Sequence, residues 1–123
     1  VGLAGTDMGA SWLLPRIVGL GRATEMLMTG DFVSAADAER MGLYNRVVPQ
    51  ERGMEEARVW VERLAEGPSF SLAMTKDLLD REATMDLASA LETEAQAQAV
   101  CMQQPNFREF YEAFRAKRPP KFT

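Results

Sequence analysis

Apolar residues along most of the chain recur with the period of an α-helix. The clearest case lies between residues 54 and 66, where charged residues separate the apolar positions, which are Met54, Ala57, Trp60, Val61 and Leu64. This spacing puts the apolar side chains on one helical face. It predicts a helix that ends at Gly67 and Pro68, with Trp60 facing a core.

The residues before this helix predict two short helices and a strand. Residues 21–28 place their apolar side chains on one face and are followed by Gly30, a frequent helix terminator. Ser34 is placed to cap the next helix, with Asp37 in the glutamate position of a capping box. Residues 43–48 are rich in β-branched and aromatic side chains, which predicts a strand.

Strand patterns disappear in the second half of the chain, which predicts an all-helical segment. Helices are predicted at residues 69–81 and 107–116, and a long helix between them begins with Thr84 as its cap. We therefore divide the chain into residues 1–66, which have α/β character, and residues 67–123, which are helical.

The last predicted helix carries large aromatic side chains on one face, at Phe107, Phe110, Tyr111 and Phe114. Such a surface on a terminal helix usually has to be covered by another part of the chain or by another subunit. A basic cluster follows, at Arg115, Lys117, Arg118 and Lys121. Without further information it is best interpreted as a solubilising tail beside a helix C-terminus, which favours cations.

Composition and charge exclude several classes of partner. The 123 residues are 46% hydrophobic and 26% charged, which is ordinary for a globular domain, and the net charge of -4 offers no attraction to nucleic acid or to anionic membrane. No apolar run approaches the roughly 20 residues that span a bilayer. We expect a cytoplasmic protein with no nucleic acid and no membrane partner. Because the chain begins with Val1 in mid-loop, we expect a piece of a longer polypeptide.

Cysteine and histidine usage narrows the possible chemistry. Cys101 is the only cysteine, so no internal disulfide can form, and its place in a helix favours a packed thiol. The absence of histidine excludes Ser-His-Asp and Cys-His catalysis and His/Cys zinc sites from this chain. No metal site is expected. Carboxylates and backbone amides must carry any reaction that occurs here.

Asp7 is the first candidate for a functional carboxylate, because a glycine-rich loop brings it to the start of an apolar helical run. The simplest interpretation is a helix N-cap that accepts a hydrogen bond from a first-turn amide, and spacing alone favours it. The alternative is a proton shuttle pressed against Met8 and Trp12 in a dry cleft, where the charged form of a carboxyl is disfavoured. Sequence patterns leave both open.

Several sequence motifs, in their order along the chain, resemble those of the crotonase superfamily of enoyl-CoA hydratases and isomerases. They are LLPRIVG at residues 13–19, RATEMLMTG at 22–30, SAADA at 34–38, GLYNRVVP at 42–49 and FRAKRP at 114–119. The resemblance spans essentially the whole chain and covers the second half of a family member. It implies a missing N-terminal half that belongs to the same fold.

The resemblance implies a fold and an assembly. The fold is the α/β crotonase-like spiral, of which this chain supplies a mostly helical part with one or two short strands. Residues 1–66 correspond to the C-terminal end of the α/β core, and residues 67–123 to a helical C-terminal trimerisation segment. The implied assembly is a homotrimer or a dimer of trimers.

The resemblance also implies acid/base chemistry next to a CoA thioester, as in hydration or double-bond isomerisation. A carboxylate at Asp7, five residues before Trp12, resembles phenylacetate-pathway isomerases, where it is the acid/base. It also resembles chlorobenzoyl-CoA dehalogenase, where it is the nucleophile. Typical hydratases have glycine here and two glutamates upstream, and the Gly5-Thr6 step makes this loop one residue longer than the common isomerase form.

The remaining implied sites concern the acyl-CoA substrate. Phe114 and Lys117 match residues that hold the adenosine and phosphate part of CoA, and an aromatic face and an ammonium suit those groups. The acyl pocket is expected at Met8, Trp12, Met26 and Leu27. No cofactor is implied beyond coenzyme A as part of the substrate, and the oxyanion-hole amides belong to the missing half. A non-catalytic helical oligomerisation module is the alternative from a different class.

Overall fold

The computed structural model describes residues 2–123, which contain seven α-helices. The helices are α1 (Ala10–Val18), α2 (Leu20–Thr29), α3 (Ala35–Arg40), α4 (Gly53–Ala65), α5 (Ser69–Glu82), α6 (Leu87–Cys101) and α7 (Pro105–Arg115), with a 3-10 turn at Gln50–Arg52. The chain forms two compact units that divide between Gly53 and Met54. The division by role into residues 1–66 and 67–123 stays a prediction.

The first unit has a small core between α1 and α2. These helices pack against each other on either side of Gly19, and Val18 and Ala23 are buried there. The predicted end of α2 is confirmed, because Gly30 takes a left-handed conformation with φ 68° and its amide donates to the Met26 carbonyl. Glycine adopts such a conformation without the steric cost of a Cβ atom.

Helix α3 begins as its capping pattern predicts. The Ser34 hydroxyl accepts a hydrogen bond from the Asp37 amide at 3.1 Å and donates one to the Asp37 carboxylate at 2.7 Å. Hydrogen bonds from Ser34 and then Arg40 hold the pKa of Asp37 below its ordinary value. The reciprocal pair satisfies an amide that the helix itself cannot satisfy.

The strand predicted at residues 43–48 is wrong, and no strand occurs within residues 2–123. The amides of Leu43 and Tyr44 donate to the Ala38 carbonyl at the end of α3, at 2.8 and 3.2 Å. The Val47 amide donates to the Glu39 carboxylate at 2.8 Å. These donors are therefore used to close a helix and are not available to a neighbouring strand.

The second unit consists of α4 to α7, as the helical periodicity predicts. Helices α5 and α6 pack against each other, and Ala97 and Ala113 are buried. The predicted cap of α6 is wrong. Asp86 accepts a hydrogen bond from the Ser89 amide at 3.0 Å, whereas the Thr84 hydroxyl donates backwards to the Arg81 carbonyl at 3.3 Å.

Large apolar side chains lie mostly on the surface of the two units. Trp60 is 42% exposed, so its predicted core position is wrong in the described chain, where no residue of α4 is buried. Cys101, the last residue of α6, is half-buried. None of the helices within residues 2–123 combines the length and apolar character that crossing a bilayer requires. Large exposed apolar surfaces of this kind usually mark sites of contact with other protein.

Candidate functional site

Asp7 lies in a tight left-handed turn directly before α1. Met8 and Gly9 both have positive φ, at 48° and 90°, and the Ala10 amide donates to the Asp7 carbonyl at 2.9 Å. The Asp7 carboxylate accepts a hydrogen bond from the Met8 amide at 2.8 Å. Helix α1 has Gly9 as its N-cap, with no side-chain cap. The N-cap interpretation of Asp7 is therefore wrong, because its carboxylate binds an amide outside the helix.

The loop that carries Asp7 is held against α2 at Gly5. A Cβ atom added at Gly5 would lie 2.0 Å from the Leu27 carbonyl oxygen, far inside any possible contact distance. Only glycine fits this approach of two backbones, which confirms that the loop needs glycine for close packing. The contact places Leu27, a predicted acyl-pocket residue, beside the loop that ends in Asp7.

The predicted acyl-pocket residues differ in exposure. Met8 is 93% exposed and Trp12 41% exposed, whereas Met26 and Leu27 are half-buried in α2. The Arg16 guanidinium lies 3.7 Å from the centre of the Trp12 ring and donates to the Trp12 carbonyl at 2.7 Å. Sequence patterns did not indicate this cation-π pair, which fixes the ring one turn into α1.

Met26 also lines a cleft of about 280 Å³ in the first unit, together with residues that include Arg22, Phe32 and Arg40. The other three predicted acyl-pocket residues do not line it. Within the first unit the structure therefore brings Leu27 to the Asp7 loop through Gly5, while Met26 faces a separate cleft. Asp7 itself is exposed.

Phe114 and Lys117, the predicted CoA contacts, are joined by the turn that ends α7. The Lys117 amide donates to the Phe114 carbonyl at 3.2 Å, and the Arg118 amide donates to the Ala113 carbonyl at 3.0 Å. Lys117 has a φ of 52°, in the left-handed region that glycine normally occupies at this position. Phe114 is 74% exposed, so its ring is accessible in the described chain.

The tail after this turn is fastened back onto α7. Arg118 donates to both carboxylate oxygens of Glu109, at 2.6 and 3.0 Å, and the Lys121 amide donates to the same carboxylate at 2.7 Å. Further along, Asn106 and Thr123 exchange two hydrogen bonds, at 2.9 and 3.0 Å. We call these three residue pairs, Glu109 with Arg118, Glu109 with Lys121 and Asn106 with Thr123, the tail clasp.

The contacts of the tail clasp favour the charged forms of Glu109 and Arg118. Hydrogen bonds from Arg118 and from the Lys121 amide lower the pKa of Glu109 from 4.5 to about 2. The same carboxylate raises the pKa of Arg118. The sequence pattern predicts a solubilising tail for the basic cluster, and the family resemblance implies a CoA contact for Lys117. Neither indicates that Arg118 pairs with Glu109, nine residues away.

Comparison with known proteins extends the resemblance that the sequence indicates. The family model described as enoyl-CoA hydratase/isomerase matches residues 1–123. A Rhodobacter capsulatus protein described as "Probable enoyl-CoA hydratase" is 38% identical over 95% of this chain. The 1,2-epoxyphenylacetyl-CoA isomerase of Escherichia coli is 34% identical over 95% of it. These alignments cover 46% and 45% of the two relatives.

A solved structure supports the same placement. The chain superimposes on a crystal structure described as "putative enoyl-CoA hydratase" from Streptomyces coelicolor A3(2), with a TM-score of 0.95 and 50% sequence identity, over 99% of this chain and 44% of that one. The crotonase-like fold is thereby confirmed, and the chain spans under half the length of the relatives it matches. The chain belongs to the enoyl-CoA hydratase/isomerase family.

Proposed function

We propose that the protein is an acyl-CoA enzyme that moves a proton next to a CoA thioester, in the hydration or double-bond isomerisation of an enoyl-CoA. The observation that carries this proposal is the fixed turn that presents the Asp7 carboxylate at the start of α1. The turn lies in a chain that is 34% identical to a 1,2-epoxyphenylacetyl-CoA isomerase. The acyl chain of the substrate is left open.

In this proposal Asp7 is the acid/base. In isomerisation its free carboxylate oxygen removes a proton from the α-carbon of a 3-enoyl thioester. In hydration it removes a proton from the water whose oxygen bonds to the β-carbon of a 2-enoyl thioester. In both cases negative charge develops on the thioester oxygen as an enolate forms. Two backbone amides aimed at that oxygen would stabilise the charge. We assign them to the part of the protein that this chain does not include. Asp7 then returns the proton to the enolate, at the γ-carbon in isomerisation and at the α-carbon in hydration.

The acyl group would lie along the surface formed by the Asp7 loop and α2. Met8 and Trp12 are exposed there, so their side chains are available to an acyl chain, and the backbone of Leu27 lies against the loop at Gly5. We place Met26 at the distal end of the pocket, because it lines the separate cleft of the first unit that the other three residues do not line. Burial of these apolar side chains against an acyl tail would contribute hydrophobic binding free energy.

The CoA end of the substrate is assigned to Phe114 and Lys117. The exposed ring of Phe114 offers a face for adenine, and the Lys117 ammonium offers a point charge for a phosphate. Coenzyme A takes part as a portion of the substrate, and we propose no further cofactor. We also propose a homotrimer or dimer of trimers in the cytoplasm, in which the exposed aromatic face of α7 is covered by protein.

The assignment of Asp7 is tested by assaying the full polypeptide with crotonyl-CoA and with a 3-enoyl-CoA. We expect Asp7→Asn to lower kcat by about 100- to 10,000-fold on the substrate of the enzyme, since this is the usual contribution of one general acid/base. Asp80→Asn, which alters an exposed carboxylate of α5, is the matched control and should leave both rates unchanged. Unchanged rates in Asp7→Asn on both substrates would refute the assignment.

The two alternatives are less well supported. The matched proteins reported above are described as hydratases and an isomerase, which does not favour nucleophilic attack by Asp7. Mass spectrometry separates the two mechanisms, because attack leaves an ester on Asp7 and proton transfer leaves exchanged substrate protons without one. Family membership likewise does not favour a non-catalytic oligomerisation module.

A further inference from the structure

Lys117 has a backbone conformation that needs external support. A residue with a Cβ atom is strained at a φ of 52°, and the position one residue beyond the helix C-cap usually carries glycine for this reason. A strained residue persists only where its surroundings over-determine it. The chain therefore has to supply contacts that hold this turn.

Those contacts come from both sides of the turn. On the helix side the amides of Lys117 and Arg118 are bound by the carbonyls of Phe114 and Ala113. On the tail side the Glu109 carboxylate accepts three hydrogen bonds, two from the Arg118 guanidinium at 2.6 and 3.0 Å and one from the Lys121 amide at 2.7 Å. A two-pronged guanidinium-carboxylate pair fixes orientation as well as distance. Glu109 thus binds the tail at two places beyond Lys117.

We propose that Glu109 is a positioning residue for the nucleotide end of the acyl-CoA substrate. By holding Arg118 and the Lys121 amide, it keeps the turn at Lys117 closed, so that the Lys117 ammonium and the Phe114 ring are presented together before the substrate arrives. This inference rests on the proposed function of these two residues. Preorganisation lowers the cost of ordering side chains and loops on binding.

A purely electrostatic role of Glu109 would predict the opposite change in CoA affinity when its carboxylate is removed. CoA carries several phosphate charges, so removing a nearby carboxylate would strengthen its binding if charge were the only effect. Loss of the tail clasp would instead weaken binding, because the tail and Lys117 must then be ordered by the ligand. Glu112, one turn further along α7, carries the same charge and forms no part of the tail clasp.

The test measures CoA binding to the full polypeptide by calorimetric titration, in wild type, Glu109→Gln, Glu112→Gln and Lys117→Ala. We expect Glu109→Gln to weaken CoA binding by about three- to ten-fold, the range expected for ordering one or two side chains. Glu112→Gln should leave binding unchanged or slightly stronger. At saturating acyl-CoA the kcat of Glu109→Gln should equal that of wild type while KM rises. A structural defect would lower kcat as well.

The double variant Glu109→Gln/Arg118→Gln keeps the net charge of the wild type and lacks the ion pair, and it should bind CoA as weakly as Glu109→Gln. Trypsin cleavage after Lys117 should be faster in both variants, which reports the opened turn without any ligand. Binding in Glu109→Gln as tight as in wild type, with Lys117→Ala weakened, would overturn the inference and leave the proposed function intact. Unchanged binding in Lys117→Ala would refute the CoA assignment and the inference with it.

Discussion

At the scale of single residues, three backbone positions determine the geometry of the candidate sites. Met8 and Lys117 are the two described residues other than glycine with positive φ. The Met8 amide donates to the Asp7 carboxylate, and the Lys117 amide donates to the Phe114 carbonyl. Gly5 adds a contact that no side chain could replace. Strained or crowded backbone is common where a protein fixes functional groups.

Gly5→Ala should disrupt the Asp7 loop. The new methyl group would overlap the Leu27 carbonyl oxygen, so either the loop or α2 must move, and we expect a loss of about 1–3 kcal/mol in the free energy of unfolding. Urea denaturation of the full polypeptide measures this change in the free energy of unfolding. If Asp7 is the acid/base, kcat should also fall.

Gly21→Ala is the matched control, because Gly21 lies in α2, the helix that Gly5 contacts, and a Cβ there would meet no atom within 4 Å. It should be neutral or stabilising by about 0.5–1 kcal/mol, since alanine is the better helix former. Equal destabilisation by the two substitutions would show that the contact of Gly5 with Leu27 is not what limits this loop.

The ion pair of Glu109 predicts a pH dependence. The pKa of Glu109 is lowered to about 2 in the folded chain, below its ordinary 4.5, so its contribution to stability is complete above about pH 4.5 and is lost as pH falls towards 2. Arg118 and the Lys121 amide face this carboxylate from the tail, and Glu112 lies near Arg118 on α7.

Urea midpoints of wild type and Glu109→Gln, measured between pH 6 and pH 3, should therefore converge as pH falls. The other carboxylates titrate in both proteins and cancel in the difference. Parallel profiles across this range would contradict the lowered pKa. The tail clasp should remain intact throughout the neutral range in which the enzyme is assayed.

At the scale of elements, helix ends decide where the chain turns. Ser34 and Gly30 could be predicted because a cap and a terminator act within their own few residues. The cap of α6 could not, since Thr84 and Asp86 are both suitable and only the geometry shows which oxygen meets the Ser89 amide.

Asp86→Ala should accordingly lower the stability of α6, whereas Thr84→Ala should have a smaller effect. The Asp86 carboxylate binds the Ser89 amide and hydroxyl, and the former bond is the leading cause of its lowered pKa. Asp86→Asn should retain most of the stability, because asparagine caps helices equally well. Urea midpoints at neutral pH give the comparison, and a larger effect at Thr84 would reverse the assignment.

At the scale of the whole molecule, the helices could be predicted and their surroundings could not. Periodicity places α2, α4, α5 and α7 within one or two residues of their observed ends, because it depends only on local spacing. It failed at residues 43–48, where the amides bind the end of α3, and at Trp60, whose predicted core is absent from the described chain.

The candidate site shows the same limit. Asp7, Phe114 and Lys117 were identified through resemblance to a family, because no spacing distinguishes them from ordinary loop and tail residues. The contacts of Gly5 with Leu27 and of Glu109 with Arg118 join positions that are 22 and nine residues apart, as their numbers show. Whether two such distant positions meet depends on the path of the chain between them, and the identity of the two side chains does not reveal that path.

The exposed apolar side chains of α4 and α7 have a consequence for how the protein is handled. A chain that keeps its largest side chains outside its own two cores gains most of its hydrophobic free energy only when another surface meets them. In the proposed trimer the covering surface belongs to another subunit, so the melting temperature would rise with protein concentration. Dilution, and not only heat or denaturant, would then be a way to unfold it.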